Sequence, residues 1–259
     1  MRDDELLAVL HAAADAVHVA LGDLADWGLA GTRAGQYRSD LAADEACLSV
    51  LDAAGLGWLS EESGTAHGDR DVIVIVDPVD GSTNASRGIP WYATSLCAVD
   101  GDGPRVALVV NQATGRRYSA IRGGGALVDG ASLAPAEPVT LDRAIVGLSG
   151  YPNRYLGWKQ FRALGAAALD LCAVAEGVLD GYLDCSPSAH GSWDYAAGML
   201  ICTEAGAPVV DAFGRDLVTL GHEQRRTPVA ASSPTLLAEL VTARRTLQWR
   251  DDPLISDGS

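Results

Sequence analysis

The chain has 259 residues, 48% of them hydrophobic, and carries 34 acidic against 19 basic residues for a formal net charge of −15. That length and apolar share bury a core as one large domain or two intimate halves and exclude a disordered chain. The charge excludes nucleic acid as the main partner, because no basic surface is available to follow phosphates, but it permits a small phosphorylated substrate whose charge is met by bound cations. The five cysteines, Cys47, Cys97, Cys172, Cys185 and Cys202, are scattered, with no C-x-x-C pair, and read as reduced core thiols of a cytoplasmic protein. The acidic opening Met1-Arg2-Asp3-Asp4-Glu5 lacks the apolar stretch of a secretory signal, and the apolar segment 163–178 is broken by Asp170 and Glu176, so no membrane span is expected.

Leu7, Leu10, Ala14, Val17, Leu21 and Leu24 recur at spacings of three and four and predict an amphipathic helix over 4–27. A second helix is expected over 39–54, ending at Gly55, and a short strand over 56–60 leads to Glu61. Residues 72–76 are a β-branched run too short for a helix and predict a buried strand. Strands over 92–99, 105–111 and 117–121, parted by Asp100-Gly101-Asp102-Gly103 and Ala113-Thr114-Gly115, suggest an antiparallel meander. Residues 126–128 follow three glycines, and 131–139, rich in alanine and proline, read as the linker between an N-terminal α+β half (1–139) and a C-terminal α/β half (140–259). The second half reads as a strand over 144–148, helices over 154–164 and 167–178, and a strand near Tyr182. A helix over 193–205 capped by Gly206, strands over 208–211 and 227–231 and a helix over 234–247 complete it. Helices and strands alternating in blocks define a layered α/β or α+β architecture.

The chemistry gathers at strand ends. After the strand at 72–76 comes Asp77-Pro78-Val79-Asp80-Gly81-Ser82-Thr83-Asn84, where Pro78 should end the ladder and turn the chain outward. Two aspartates across a rigid turn, with the Val79 carbonyl between them, are hard oxygen donors suited to magnesium. Gly81-Ser82-Thr83 then allows close backbone approach, with amides that open the next helix as an anion seat. The plainer reading of Asp80-Gly81 is a hairpin turn, but residues 84–90 lack the alternation of a returning strand. Glu61-Glu62, Asp40 with Asp44 one turn on, and Asp194 after Trp193 are each ordinary alone; together they are acids placed at element ends.

These pieces resemble the inositol monophosphatase family, magnesium-dependent and often lithium-sensitive phosphatases of small phosphorylated polyols, sugars and nucleotides. The matching segments are Ser60-Glu61-Glu62-Ser63-Gly64, Asp77 to Asn84, and Trp193-Asp194-Tyr195-Ala196-Ala197 followed by Glu204-Ala205-Gly206, in family order over nearly the whole chain. Weaker matches are residues 37–45, Gly125-Ala126 and 164–168. The resemblance implies a layered αβαβα sandwich and two to three Mg²⁺ ions. Glu61, Asp77 and the Val79 carbonyl would hold the first ion, Asp77, Asp80 and Asp194 the second, and Glu61 with Asp40 through water a third. Ser82, at the family's threonine position, would orient the attacking water, with Glu61 accepting its proton; Glu62 remains the alternative to Glu61 as ligand. The amides of Gly81 and Ser82 would hold phosphate oxygens, with Asp80, Thr83 and Asp194 beside the substrate. A charge count agrees: five acids bring about −5 and a phosphate about −2, which three Mg²⁺ offset without any arginine or lysine.

Departures bear on the substrate. Asn84-Ala85 stands where several members have Asn-Phe, and the segment 184–192 before Trp193 is long and polar. Where inositol-binding members place an acid against ring hydroxyls, Pro187 stands nearby, which argues against inositol itself. His190 reads as a substrate contact or as a solvated loop histidine, and Tyr151 with Arg154 as leaving-group contacts or as an ordinary loop. Lys159, the only lysine, shares the expected helix 154–164 with Arg162, and no dense basic cluster stands ready for a second phosphate. The expected activity is a Mg²⁺-dependent phosphomonoesterase acting on a small sugar or cyclitol phosphate, as a homodimer. Histidinol phosphate, fructose 1,6-bisphosphate and 3′-phosphoadenosine nucleotides are the alternative substrates, and a metal- or ligand-binding regulator on the same scaffold is the non-enzymatic alternative.

Overall fold

The computed structural model describes residues 1–32, 35–186 and 190–247, so the expectation attached to Pro187 lies outside the described residues. Helix α1 (Asp3–Gly22) buries Leu6, Leu10, Ala13, Ala14, Val17 and Leu21 along one stripe, and α2 (Arg38–Ala53) buries Ala43, Cys47 and Leu51. By length and composition α1 could cross a membrane. Here its stripe packs on α2 and on the first sheet, while Asp4, Glu5 and Asp15 face outward.

The first sheet contains β1 (Gly57–Ser60), β2 (Gly64–Ala66), β3 (Ile73–Asp80), β4 (Ala93–Asp100), β5 (Gly103–Asn111), β6 (Arg117–Ile121), β7 (Gly125–Val128) and β8 (Ala131–Ser132). They lie in the order β2-β1-β3-β4-β5-β6-β7-β8, antiparallel except for the β1–β3 pair. A short helix α3 (Ser82–Arg87) follows β3. The second sheet, ordered β10-β9-β11-β13-β12, is built from β9 (Ile145–Ser149), β10 (Gln160–Arg162), β11 (Gly181–Asp184), β12 (Val209–Asp211) and β13 (Pro228–Ala231). The helices of this region are α4 (Ala167–Ala175), α5 (Ser192–Ala205) and α6 (Pro234–Arg245).

Alternation along β3 explains the layering, because successive side chains leave opposite faces of a strand. Val74 and Val76 join Leu96, Leu108 and Val110 against α1 and α2. Ile73 and Ile75 join Cys97, Ala107 and Val109 against Leu169, Leu171 and Ile201 of α4 and α5. Tyr182 and Ala230 of the second sheet close the same cluster from beyond those helices, while Val146, Leu148, Leu183 and Val229 pack outward on Leu236 and Leu240 of α6. The result is five layers, αβαβα. Every residue of β3 is buried, and residues Ile73 to Val76 are accordingly apolar on both faces, which leaves Asp77 and Asp80 as buried carboxylates.

Three expectations fail. No helix forms over 154–164. Gly157 sits at φ +105°, which an α-helix cannot hold, Trp158 is buried, and residues 160–162 form edge strand β10, so Lys159 and Arg162 share no helix face. Pro78 does not end its strand: β3 continues to Asp80, and the register with β4 shifts between Asp77 and Asp80, so the residue without an N–H falls in a bulge. Helix α1 stops at Gly22 rather than near Trp27, which instead packs edge-on against Tyr92.

Candidate active site

Parallel pairing of β1 with β3 sets two acids side by side. The pair Ser60–Val76 closes the ladder, and the Glu61 amide still donates to the Val76 carbonyl at 3.1 Å, so Glu61 lies beside Asp77. The Glu61-Glu62 turn is clamped from below: Ser60 and Ser63 both donate their hydroxyls to buried Asp44 of α2, and Ser60 Oγ accepts from the Glu62 amide at 3.1 Å. Asp77 is 1% exposed and its Oδ1 accepts the Val79 amide at 3.0 Å, while Thr94 pins the Pro78 carbonyl at 2.9 Å. From the far side of the layer, α5 opens with Asp194 in its first turn, where Oδ2 accepts from the Gly191 amide at 2.9 Å. One oxygen each of Glu61, Asp77 and Asp194 fall within 4.8 Å of one another.

Asp80 has a different geometry. Its two oxygens accept the Ala167 and Ala168 amides at 3.2 and 2.7 Å, the first turn of α4. It adjoins the trio without belonging to the set of mutually close oxygens. Gly81 follows at φ +88°, and a Cβ there would meet Ala166 Cβ and the Gly165 and Trp91 carbonyls at 3.1 Å, so both backbone conformation and space demand glycine. Asn84 fastens α3 in place by donating to the Trp91 and Leu164 carbonyls at 2.7 Å each.

These acids repel one another. Burial, then Asp194, Glu62, Asp40 and Asp80, push the Glu61 carboxyl up to about 9. Burial, then Glu61, Asp80 and Asp194, raise Asp77 well above the usual carboxylate range; burial and Asp194 do the same for Asp80. The donor set is hard oxygen throughout, partly or fully buried and crowded with like charge, which fits a small divalent cation and fits thiophilic metals poorly.

A cavity of about 360 Å³ opens here, lined by Gly35, Gln36, Asp40, Glu61, Glu62, Val79, Ser82, Trp193, His222 and Arg225. Asp40 is buried at its wall, with Oδ2 accepting the Tyr37 amide at 2.8 Å. Glu62 turns to Gln36, whose side-chain amide donates to it, so of the two adjacent glutamates it is Glu61 that joins the trio. Thr83 is exposed and its hydroxyl lies 3.3 Å from that of Tyr37. Tyr151 is 72% exposed and is not on the cavity wall; Arg154 is exposed as well.

His190 is held by the protein on both sides of its ring. Nδ1 lies 3.0 Å from Asp194 Oδ2, and Nε2 lies 3.1 and 3.2 Å from the Ser149 and Tyr182 hydroxyls. Burial opposes its protonation, but the Asp194 bond and the charges of Asp194, Asp184 and Asp80 outweigh that and raise it to about 9. It thereby fixes the Asp194 carboxylate.

The sequence reading missed His222 and Arg225. Both come from the irregular segment between β12 and β13, which has no periodic pattern. His222 Nε2 donates to the Glu61 carbonyl at 3.2 Å and its ring lies 4.8 Å from that of Trp193, while the Arg225 guanidinium lies 5.1 Å from the Trp193 ring centre. The Arg225-Arg226 pair is no signal by itself, because Arg116-Arg117 and Arg244-Arg245 read the same way.

Residues 38–248 match the inositol monophosphatase family. The chain is 35% identical over 210 residues to a fructose-1,6-bisphosphatase/inositol-1-monophosphatase of Archaeoglobus fulgidus, covering 78% of this chain and 81% of that protein. It is 31% identical over 221 residues to the Nus factor SuhB of Pasteurella multocida, covering 78% and 79%. A Pyrococcus horikoshii protein described as similar to inositol-1 monophosphatase superposes with a TM-score of 0.80 at 26% identity, covering 93% of this chain and 96% of that one. The fold and its acid-lined cavity are those of a phosphoric monoester hydrolase. This chain belongs to the inositol monophosphatase family.

Proposed function

We propose that the chain is a Mg²⁺-dependent phosphomonoesterase that hydrolyses a small phosphorylated sugar or cyclitol to the alcohol and orthophosphate. The observation that carries this is the convergence of Glu61, Asp77 and Asp194 within 4.8 Å on a cavity wall lined also by Ser82. Glu61, Asp77 and the Val79 carbonyl would hold one ion, and Asp77, Asp80 and Asp194 a second, with Asp40 and Glu61 toward a third. The ions would neutralise phosphate charge and make water acidic enough to react near neutral pH. The chain's own residues do the rest. Ser82 orients the water with its hydroxyl, Glu61 takes the proton, and the Gly81 and Ser82 amides hold phosphate oxygens. Asp80, locked on the first turn of α4, and Asp194, locked by His190, keep their orientation throughout. No protein nucleophile is required.

The compact cavity supports a small substrate. The reading includes a cytoplasmic setting, supported by five free, buried cysteines, and a homodimer, which light scattering tests. Orthophosphate release from a panel of sugar, cyclitol and nucleotide phosphates, with and without Mg²⁺, tests the whole. Mg²⁺-dependent release from a sugar or cyclitol phosphate supports it. A second reading, a regulator that binds metal without turnover, is favoured by the relative named a Nus factor; Mg²⁺ binding with no ester hydrolysed would establish that reading instead.

A further inference from the structure

Among the described residues, Arg225 is the one arginine or lysine on the wall of a cavity that otherwise offers Asp40, Glu61 and Glu62. A guanidinium cannot ligate a cation and opposes one electrostatically, so this residue does not serve the metal site. No carboxylate among the described residues pairs with it. Nη1 donates to the His222 and Gln224 carbonyls at 2.6 and 3.0 Å, and neither Nε nor Nη2 has an acceptor among the described residues. Those backbone bonds and the Trp193 ring, 5.1 Å away, hold the fork in place. Trp193 is itself stacked by His222, whose Nε2 reaches the Glu61 carbonyl, so the fork is tied to the acids by a short rigid path.

We infer that Arg225 is a specificity residue that receives a second oxyanion of the substrate, so that the preferred ester carries, besides the phosphate to be cleaved, a carboxylate or a further phosphate. This rests on the phosphatase reading above and narrows it. A planar fork with open donors binds a carboxylate or phosphate through paired charge-assisted bonds, and a wall already rich in carboxylates has no other use for one cation held away from all of them. The cavity size keeps the two anionic groups on one compact molecule.

The test uses matched esters on the Mg²⁺-loaded protein: 3-phosphoglycerate against glycerol 3-phosphate for a carboxylate, and fructose 1,6-bisphosphate against fructose 1-phosphate for a second phosphate. In the unaltered protein kcat/KM favours the anionic member of at least one pair by roughly tenfold, and in Arg225→Gln that ratio falls to within about twofold of unity, with Arg225→Lys between. The pair that discriminates identifies the oxyanion. No discrimination in either pair, or an equal loss on both members in Arg225→Gln, as a purely structural prop for Trp193 would give, overturns the inference. If no ester turns over, the phosphatase reading fails on its own account, and calorimetric binding of glycerate against glycerol decides Arg225. Tighter glycerate binding that Arg225→Gln abolishes supports the oxyanion site; equal binding refutes it.

Discussion

Two buried aspartates, Asp77 in the first sheet and Asp211 in the second, have opposite fates. Asp211, at the end of β12, accepts the amides of Phe213, Arg215 and Thr227 at 2.9, 3.2 and 2.8 Å, and also the Arg215 guanidinium at 3.0 and 2.7 Å. Burial works against its charge, yet these donors outweigh burial and hold the carboxyl below its ordinary range. Asp77 is as deeply buried, but it faces Glu61, Asp80 and Asp194, and burial and those neighbours raise it. Depth therefore does not mark a site. What marks it is a carboxylate whose surroundings supply like charge where a structural acid finds donors, so that the missing positive charge must arrive from solution.

The widest separation between the two is expected in activity. Asp77→Asn should lower orthophosphate release by about a thousandfold or more while leaving metal-free unfolding unchanged or slightly more resistant, since it removes repulsion. Near-normal turnover would remove Asp77 from the mechanism. Asp211→Asn should do the reverse: urea unfolding loses about 2–4 kcal/mol, and activity per folded molecule stays within about twofold. A stable Asp211→Asn would break the contrast from the other side.

Acidity sharpens it further. Glu61 and Asp77 bind protons more tightly folded than unfolded, so without metal the folded state gains from their protonation at low pH. That gain is lost as pH climbs from the ordinary carboxylate range toward the raised value of about 9 for Glu61. The metal-free melting temperature should accordingly fall from pH 5 to 9, and saturating Mg²⁺ should flatten the slope; a metal-free profile rising over that range would contradict the picture. Asp80→Asn should abolish turnover and also destabilise by about 1–2 kcal/mol, because it swaps an acceptor oxygen for a donor facing an α4 amide. The smallest effect belongs to Ser63→Ala, which removes one of two hydroxyls on Asp44 and should cost about 0.5–1 kcal/mol in the same unfolding assay.

Much of this was legible in the residues. The β-branched run into Asp77-Pro78-Val79-Asp80-Gly81, the Glu61-Glu62 turn and the Trp193-Asp194 helix start each carry local signals, and the layered architecture follows from blocks of helix and strand. Gly81 was readable because only glycine meets both its demands. The orientation of Asp80 was not, since its partners are amides 87 and 88 positions away. Nor were His222 and Arg225, whose placement depends on stacking against Trp193 rather than on any local preference. The helix expected over 154–164 failed for a related reason: Lys159 and Gln160 donate to the distant Ala144 carbonyl, and Gly157 breaks the turn. Long-range partners decided each case.

Calorimetric titration of the metal-free protein with Mg²⁺, beside Glu61→Gln, Asp77→Asn and Asp194→Asn, tests the shared centre most directly. Each substitution should weaken binding at least about tenfold, because each removes one negative charge from a centre whose two ions share Asp77. Undiminished Mg²⁺ affinity in all three variants would show that these carboxylates, however close, do not hold a cation together.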